Sequence, residues 1–233
     1  MIHRLPRIAF ALLAPLLLFG CILTPGKFVS TLTINADRSF SFAYKGEVIA
    51  VDPSGAMGGL SSSSSSEDAS ETKTKAAEVA SKKAEAETKN RAIAAALSKE
   101  YGYRSVVYQG EGKFLIDYAV SGTLTHNFVF PFNSDAEAVF PFLTVELRAN
   151  NTVRVKAPGF ANDTKSDKSG VGQMGGSDVA KHLDGVFTLD TDAEIVSQNN
   201  EDGAAKAGNR STIKWRATPL SKDAPTATLR LAK

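Results

Sequence analysis

Asp190, Asp192 and Glu194, followed by Asn199, Asn200, Glu201, Asp202 and Gly203, are the densest set of oxygen donors in this 233-residue chain. Calcium takes six to eight oxygens, and an Asp-x-Asp-x-Glu run suits it superficially. Ile195 stands where a calcium-binding loop needs glycine, so the group reads first as an acidic strand end and turn, with calcium as the chemistry to test. Gly170-Val171-Gly172-Gln173-Met174-Gly175 spells the dinucleotide fingerprint. That fingerprint works only between a buried strand and a helix, and here a polar stretch from Asn162 to Ser169 precedes it. Ser70-Glu71-Thr72-Lys73, Lys168-Ser169-Gly170 and Ser197-Gln198-Asn199 imitate a lysine-activated serine site, but in the wrong order and with the nucleophile in low-complexity sequence. After residue 20 the histidines are His126 and His182. His126 alternates with Phe128 and Phe130 as a half-buried strand residue would, and neither histidine has a Gly-x-Ser-x-Gly elbow beside it. No metal site, cofactor or catalytic residue is expected.

Two features carry more. Val129-Phe130-Pro131-Phe132 recurs as Val139-Phe140-Pro141-Phe142 around a short polar excursion. Phe130, Phe132, Phe140 and Phe142 are therefore candidate lipid contacts, an apolar lip for an acyl chain or headgroup layer; the competing reading makes all four core residues. Proline donates no backbone hydrogen bond, so each copy belongs at a sheet edge or strand end. The second feature is the start of the chain. Arg4 and Arg7, the apolar run Ile8 to Phe19, and Gly20 directly before Cys21 resemble the lipobox of bacterial lipoproteins. That resemblance implies a leader removed before Cys21 and a diacylglyceryl group on its sulfur. One acyl chain anchors only reversibly and two or more hold stably. Ile22 in place of the inner-membrane-retaining Asp of that class points to the outer membrane. The Arg-Leu-Ala-Lys233 ending is faintly similar to lipoproteins joined to peptidoglycan through a terminal lysine.

Composition agrees with such a setting. Cys21 is the sole cysteine, so once it is acylated no thiol remains for disulfides, zinc or nucleophilic catalysis. Without Arg4 and Arg7 the 27 basic residues fall to 25 against 25 acidic ones, which leaves no basic footprint for nucleic acid. No apolar stretch after Cys21 is long enough to span a bilayer as a helix.

The elements follow from periodicity. Leu32 and Ile34, the Asn35-Ala36-Asp37-Arg38 turn, then Phe40, Phe42 and Tyr44 predict a hairpin over Thr31 to Tyr44. Six serines at 61–66 end a Gly-rich linker. Glu71–Lys75, Glu78–Lys82 and Glu85–Lys89 predict a helix with an exposed first half; Ile93, Leu97 and Tyr101 should dock its second half, and Gly102 should end it. Two-residue alternation returns at Phe114–Val120, Leu143–Leu147, Val153–Val155, Phe187–Leu189, Ile213–Ala217 and Leu229–Leu231. About eight short strands and one helix predict an antiparallel α+β domain with a long, partly exposed helix and flexible Gly/Ser-rich insertions.

The expected organisation is a signal peptide at 1–20, lipidated Cys21 and the first hairpin at 21–52, a linker at 53–68, a charged Ala-rich helix at 69–102, and the rest of the β-rich domain at 103–233 with a loose loop at 158–178. The segments from Cys21 to Phe28, Arg38 to Phe40, Tyr44 to Glu47 and Leu183 to Trp215 resemble an uncharacterised lipoprotein family of sphingomonad-type alphaproteobacteria. Asp192 to Trp215 is also weakly similar to LppM-type lipoproteins, a class linked to lipids at the cell envelope. These resemblances imply a lipid-anchored, non-enzymatic envelope module on the periplasmic face, binding lipid, glycolipid or an envelope partner. The alternative is a periplasmic hydrolase acting on envelope polymers.

Overall fold

The computed structural model describes residues 22–51, 69–131, 141–162 and 181–232. Among them, β1 (Ile22–Ile34) and β2 (Ser39–Val51) form a hairpin far longer than the Thr31 to Tyr44 unit expected, paired from Ile34↔Phe40 to Ile22↔Val51. Its turn is closed by Asp37, whose Oδ1 accepts from the Ser39 amide (2.8 Å) and hydroxyl (2.6 Å). Those two hydrogen bonds hold the Asp37 carboxyl below its ordinary pKa. Arg38 takes the left-handed backbone (φ 72°) that the tight turn demands. Near the other end, β1 bulges between Pro25 and Phe28, where a side chain at Gly46 would stand 2.3 Å from the Lys27 carbonyl oxygen. Only glycine allows the two backbones that approach.

A helix, α1 (Ala69–Leu97), then leads to β3 (Tyr103–Gly110) and β4 (Lys113–Thr123). Next come β5 (Phe128–Phe130), β6 (Leu143–Arg148), β7 (Thr152–Lys156) and a 3-10 turn at Pro158–Phe160. The described chain closes with β8 (Asp184–Thr191), β9 (Glu194–Gln198), β10 (Ala205–Ala207), β11 (Arg210–Ala217) and β12 (Thr226–Arg230). Strands β10-β11-β8-β1-β2-β4-β3 form one sheet and β5-β6-β7-β12-β9 the other.

The expected α+β class is corrected: the fold is mostly β, two sheets face to face, with α1 as an accessory. The helix lacks the large apolar residues needed to make a layer. Val79 is 66% exposed, and the residues it buries are Asn90 and Ala94, with Ile93 and Leu97 half-covered against β3. It also stops at Leu97, short of Gly102, which leaves Tyr101 82% exposed rather than docked. Nor is the large sheet wholly antiparallel. β8 runs parallel to β1, because the chain crosses through the second sheet before returning.

Alternation puts Leu32, Ile34, Phe42, Tyr44, Phe114, Ile116, Phe187, Leu189, Ile213 and Trp215 on the inner face of the large sheet, all buried. Val145, Val153, Val155, Ala227 and Leu229 meet them from the other sheet. A chain of rings fills the space between: Phe28 on Phe160 (4.3 Å between centroids), Phe160 on Phe187 (5.4 Å), and Phe187 on Trp215 (5.5 Å). The Tyr44 hydroxyl donates to the Glu47 carbonyl oxygen (2.7 Å) within this core, and burial raises its pKa well above that of a free phenol.

Candidate functional site

The candidate site is the outer face of the seven-stranded sheet along β1. β1 begins at Ile22, the residue after Cys21, and Cys21 itself lies outside the described residues. Cys21 therefore directly precedes a long strand at the middle of the sheet. Side chains opposite the core alternate along this ribbon. Val29 pairs with Lys45 and with Val186, Lys45 pairs with Asp117, and Leu115 pairs with Val107. A shallow depression of about 370 Å³ opens here, lined by Lys27, Phe28, Val29, Lys45, Asp184, Gly185, Val186 and Arg216. Arg216 reaches Asp184 (3.3 Å) and Lys45 reaches Asp117 (3.9 Å); the Lys27 amide donates to Glu47 Oε2 (3.3 Å), while its ammonium has no carboxylate partner among the described residues. Exposed pairs of this kind are weak, so the three cations remain available to an anion.

The acidic cluster is taken up by structure. Asp190 binds Arg210 through Nε (2.6 Å) and Nη2, and Thr212 (2.9 Å). Arg210 also donates to Asn35 (3.1 Å), and the Asp190 bond raises its pKa. Asp192 accepts from the Ala36 amide (2.7 Å), and Glu194 receives Arg230 (2.8 Å). These carboxylates are spread between two sheets, and no group of three metal-binding side chains occurs among the described residues. Sequence reasoning missed what Asn199 does. Its Oδ1 accepts from Trp215 Nε1 (3.1 Å) and the Thr226 amide (2.9 Å), and its Nδ2 donates to the Ala224 carbonyl (2.7 Å). It clamps β11 to the entry of β12. Neighbouring Asn200 donates to the Lys214 carbonyl (2.7 Å). The Asn-Asn pair was visible, but its partners lie 14 to 27 residues away and no local signal marks them.

His126 corrects another expectation: it is exposed in the segment before β5, bonded to Thr125 (3.1 Å), rather than half-buried on a strand. His182 is exposed in a turn before β8. Ser197 is exposed on β9, and Ser70 and Lys73 lie in the first turns of α1. The fingerprint at 170–175, Lys168, Ser169 and Lys233 lie outside the described residues.

The four phenylalanines divide. Phe132 and Phe140 fall outside the described residues. Phe130 and Phe142, each 1% exposed, are core residues rather than an exposed lip. Phe130 sits among Phe42 (5.0 Å), Tyr44 (5.2 Å), Tyr118 (4.7 Å) and Phe142 (5.9 Å). The sheets close over both rings because Phe130 ends edge strand β5, paired with Leu143.

No helix among the described residues is long and apolar enough to cross a membrane. The structure is weakly similar to the folded domain of the LppM protein of Mycobacterium tuberculosis, solved by NMR, at 16% identity and a TM-score of 0.36, covering 92% of each chain. A match that loose assigns neither family nor activity. No family model matches the chain, and no curated protein matches it.

Proposed function

We propose that this protein is a lipid-anchored envelope module whose β-sandwich is held against the membrane surface and binds a lipid, glycolipid or envelope partner there without transforming it. One observation carries the reading: the leader-like run ends at Cys21, and the sheet begins at Ile22. A protein meant to reach far from its membrane would place a flexible spacer after the acylated cysteine. Here the first residue after it is already paired with Val51. The outer-membrane assignment rests on Ile22 following the cysteine. The non-enzymatic reading is supported by the side chains themselves, since Asp190, Asp192 and Glu194 are engaged in structural bonds and His126 Nδ1 is hydrogen-bonded to the Thr125 hydroxyl.

The experiment is palmitate labelling of the wild-type chain and Cys21→Ser, followed by membrane fractionation. Label and membrane association should follow the wild type and be lost together in the variant. A wild-type chain without label, or a variant that fractionates unchanged, overturns the proposal.

A further inference from the structure

Of the seven large apolar residues exposed among the described ones, Val79, Tyr101 and Val196 stand apart, on α1, before β3 and on β9, and three others share one face. Val29 (60% exposed), Leu115 (41%) and Val107 (49%) share the half of the outer face of the large sheet that takes in Lys27 to Val29, at the middle of β1. Leu220 (86%) stands in the turn after β11, whose last residue, Ala217, pairs with Gly185 in that same half. The other half of the face is Thr31, Thr33, Ser41, Ala43, Ala119 and Ser121, small and without a large apolar group. Lys27, Lys45 and Arg216 ring the apolar half around the depression, against Asp184 alone in its lining. Aliphatic side chains set among long cations that extend past them are the pattern of a surface resting in lipid headgroups.

We propose that this half-face lies flat on the anionic headgroups of the bilayer that holds Cys21, with a lipid phosphate in the depression between Lys27, Lys45 and Arg216. The inference rests on acylation of Cys21 and adds an orientation to it. β1 decides the geometry. At about 3.3 Å per residue, Lys27 is roughly 20 Å and Val29 roughly 26 Å along the strand from Cys21. A strand standing upright would lift both clear of the headgroups; one lying in the surface plane brings both into them. The excess of cations in the lining of the depression, Lys27, Lys45 and Arg216 against Asp184, favours the second arrangement over a protein partner.

Trp215, the sole tryptophan, is buried at 7% exposure and serves as a common background. Val29→Trp adds a reporter on the proposed face, and Val196→Trp adds one on β9 of the other sheet, where Val196 is 46% exposed. Each acylated full-length protein is reconstituted in vesicles of phosphatidylglycerol and phosphatidylcholine carrying headgroup spin labels. Fluorescence at position 29 should be quenched at least about twofold more than at 196. Equal quenching, or stronger quenching at 196, overturns the orientation, and a palmitate assay on the same samples shows separately whether the anchor is present. In a second arm the mature chain with Cys21→Ser is titrated with phosphatidylglycerol or phosphatidylcholine vesicles. Binding should prefer the anionic vesicles and weaken with salt. It should fall about fivefold for each of Lys27→Gln, Lys45→Gln and Arg216→Gln, the loss expected from about 1 kcal/mol per cation near an anionic surface. Indifference to lipid charge or to all three substitutions refutes the headgroup contact.

Discussion

Phe130→Ala separates a core phenylalanine from a lipid-binding one. The ring is 1% exposed, with four aromatic centroids between 4.7 and 5.9 Å away, belonging to Tyr118, Phe42, Tyr44 and Phe142. Removing a buried phenylalanine costs about 3–5 kcal/mol, and lost ring–ring contacts push the value toward the top of that span. For a domain of this size each kcal/mol lowers Tm by about 2–4 °C, so the variant should melt roughly 8–20 °C below the wild type. The assay is thermal unfolding followed by Trp215 fluorescence, with circular dichroism as a second probe. Phe130→Leu should recover more than half of the loss, because it refills most of the volume. A drop under about 3 °C refutes the packing argument, and an unchanged Tm together with loss of co-purifying lipid restores the lip.

Two further outcomes test the local bonds. Asn199→Ala strips the acceptor from Trp215 Nε1 and the Thr226 amide, and partial exposure lets water compensate in part. The expected loss is about 1–2 kcal/mol in urea unfolding, with a red-shifted Trp215 emission; Asn199→Asp, which keeps the acceptor, should lose less. Glu87 accepts from the Tyr108 hydroxyl (2.8 Å) and the Glu111 amide (2.9 Å), the first being the larger cause of a pKa below its ordinary 4.5. Its hold on α1 is therefore fully present above pH 4.5 and is lost as pH falls through the lower folded value. Protection of the Glu111 amide from hydrogen exchange should fall across that window in the wild type and stay flat in Glu87→Gln.

Much of the β structure was legible because alternation is a local property. Phe114, Ile116, Tyr118 and Val120, or Ile213, Trp215 and Ala217, announce both a strand and its inner face. The helix was legible for the same reason, through its repeating glutamate–lysine pairs. Its weight in the fold was not, because propensity says nothing about whether a layer of side chains exists to be buried; Ala-rich α1 covers β3 and little else. The acidic run looked like a ligand set because spacing along the chain cannot show that Arg210, Arg230 and the Ala36 amide come to meet it.

Taken alone, the amino-acid order determined the single thiol position, the balanced charge of the chain after residue 20 and most of the strands, though not β3, β9, β10 or the length of the first hairpin. Only the tertiary structure decided that β8 lies parallel beside β1, that Phe130 and Phe142 face inward, and that Lys27, Lys45 and Arg216 converge around one depression. Those relations join residues as much as 189 positions apart, from Lys27 to Arg216. Alternation specifies which face of each strand is apolar, whereas the order in which strands pair depends on how two such faces close over a shared core, a property of the whole chain.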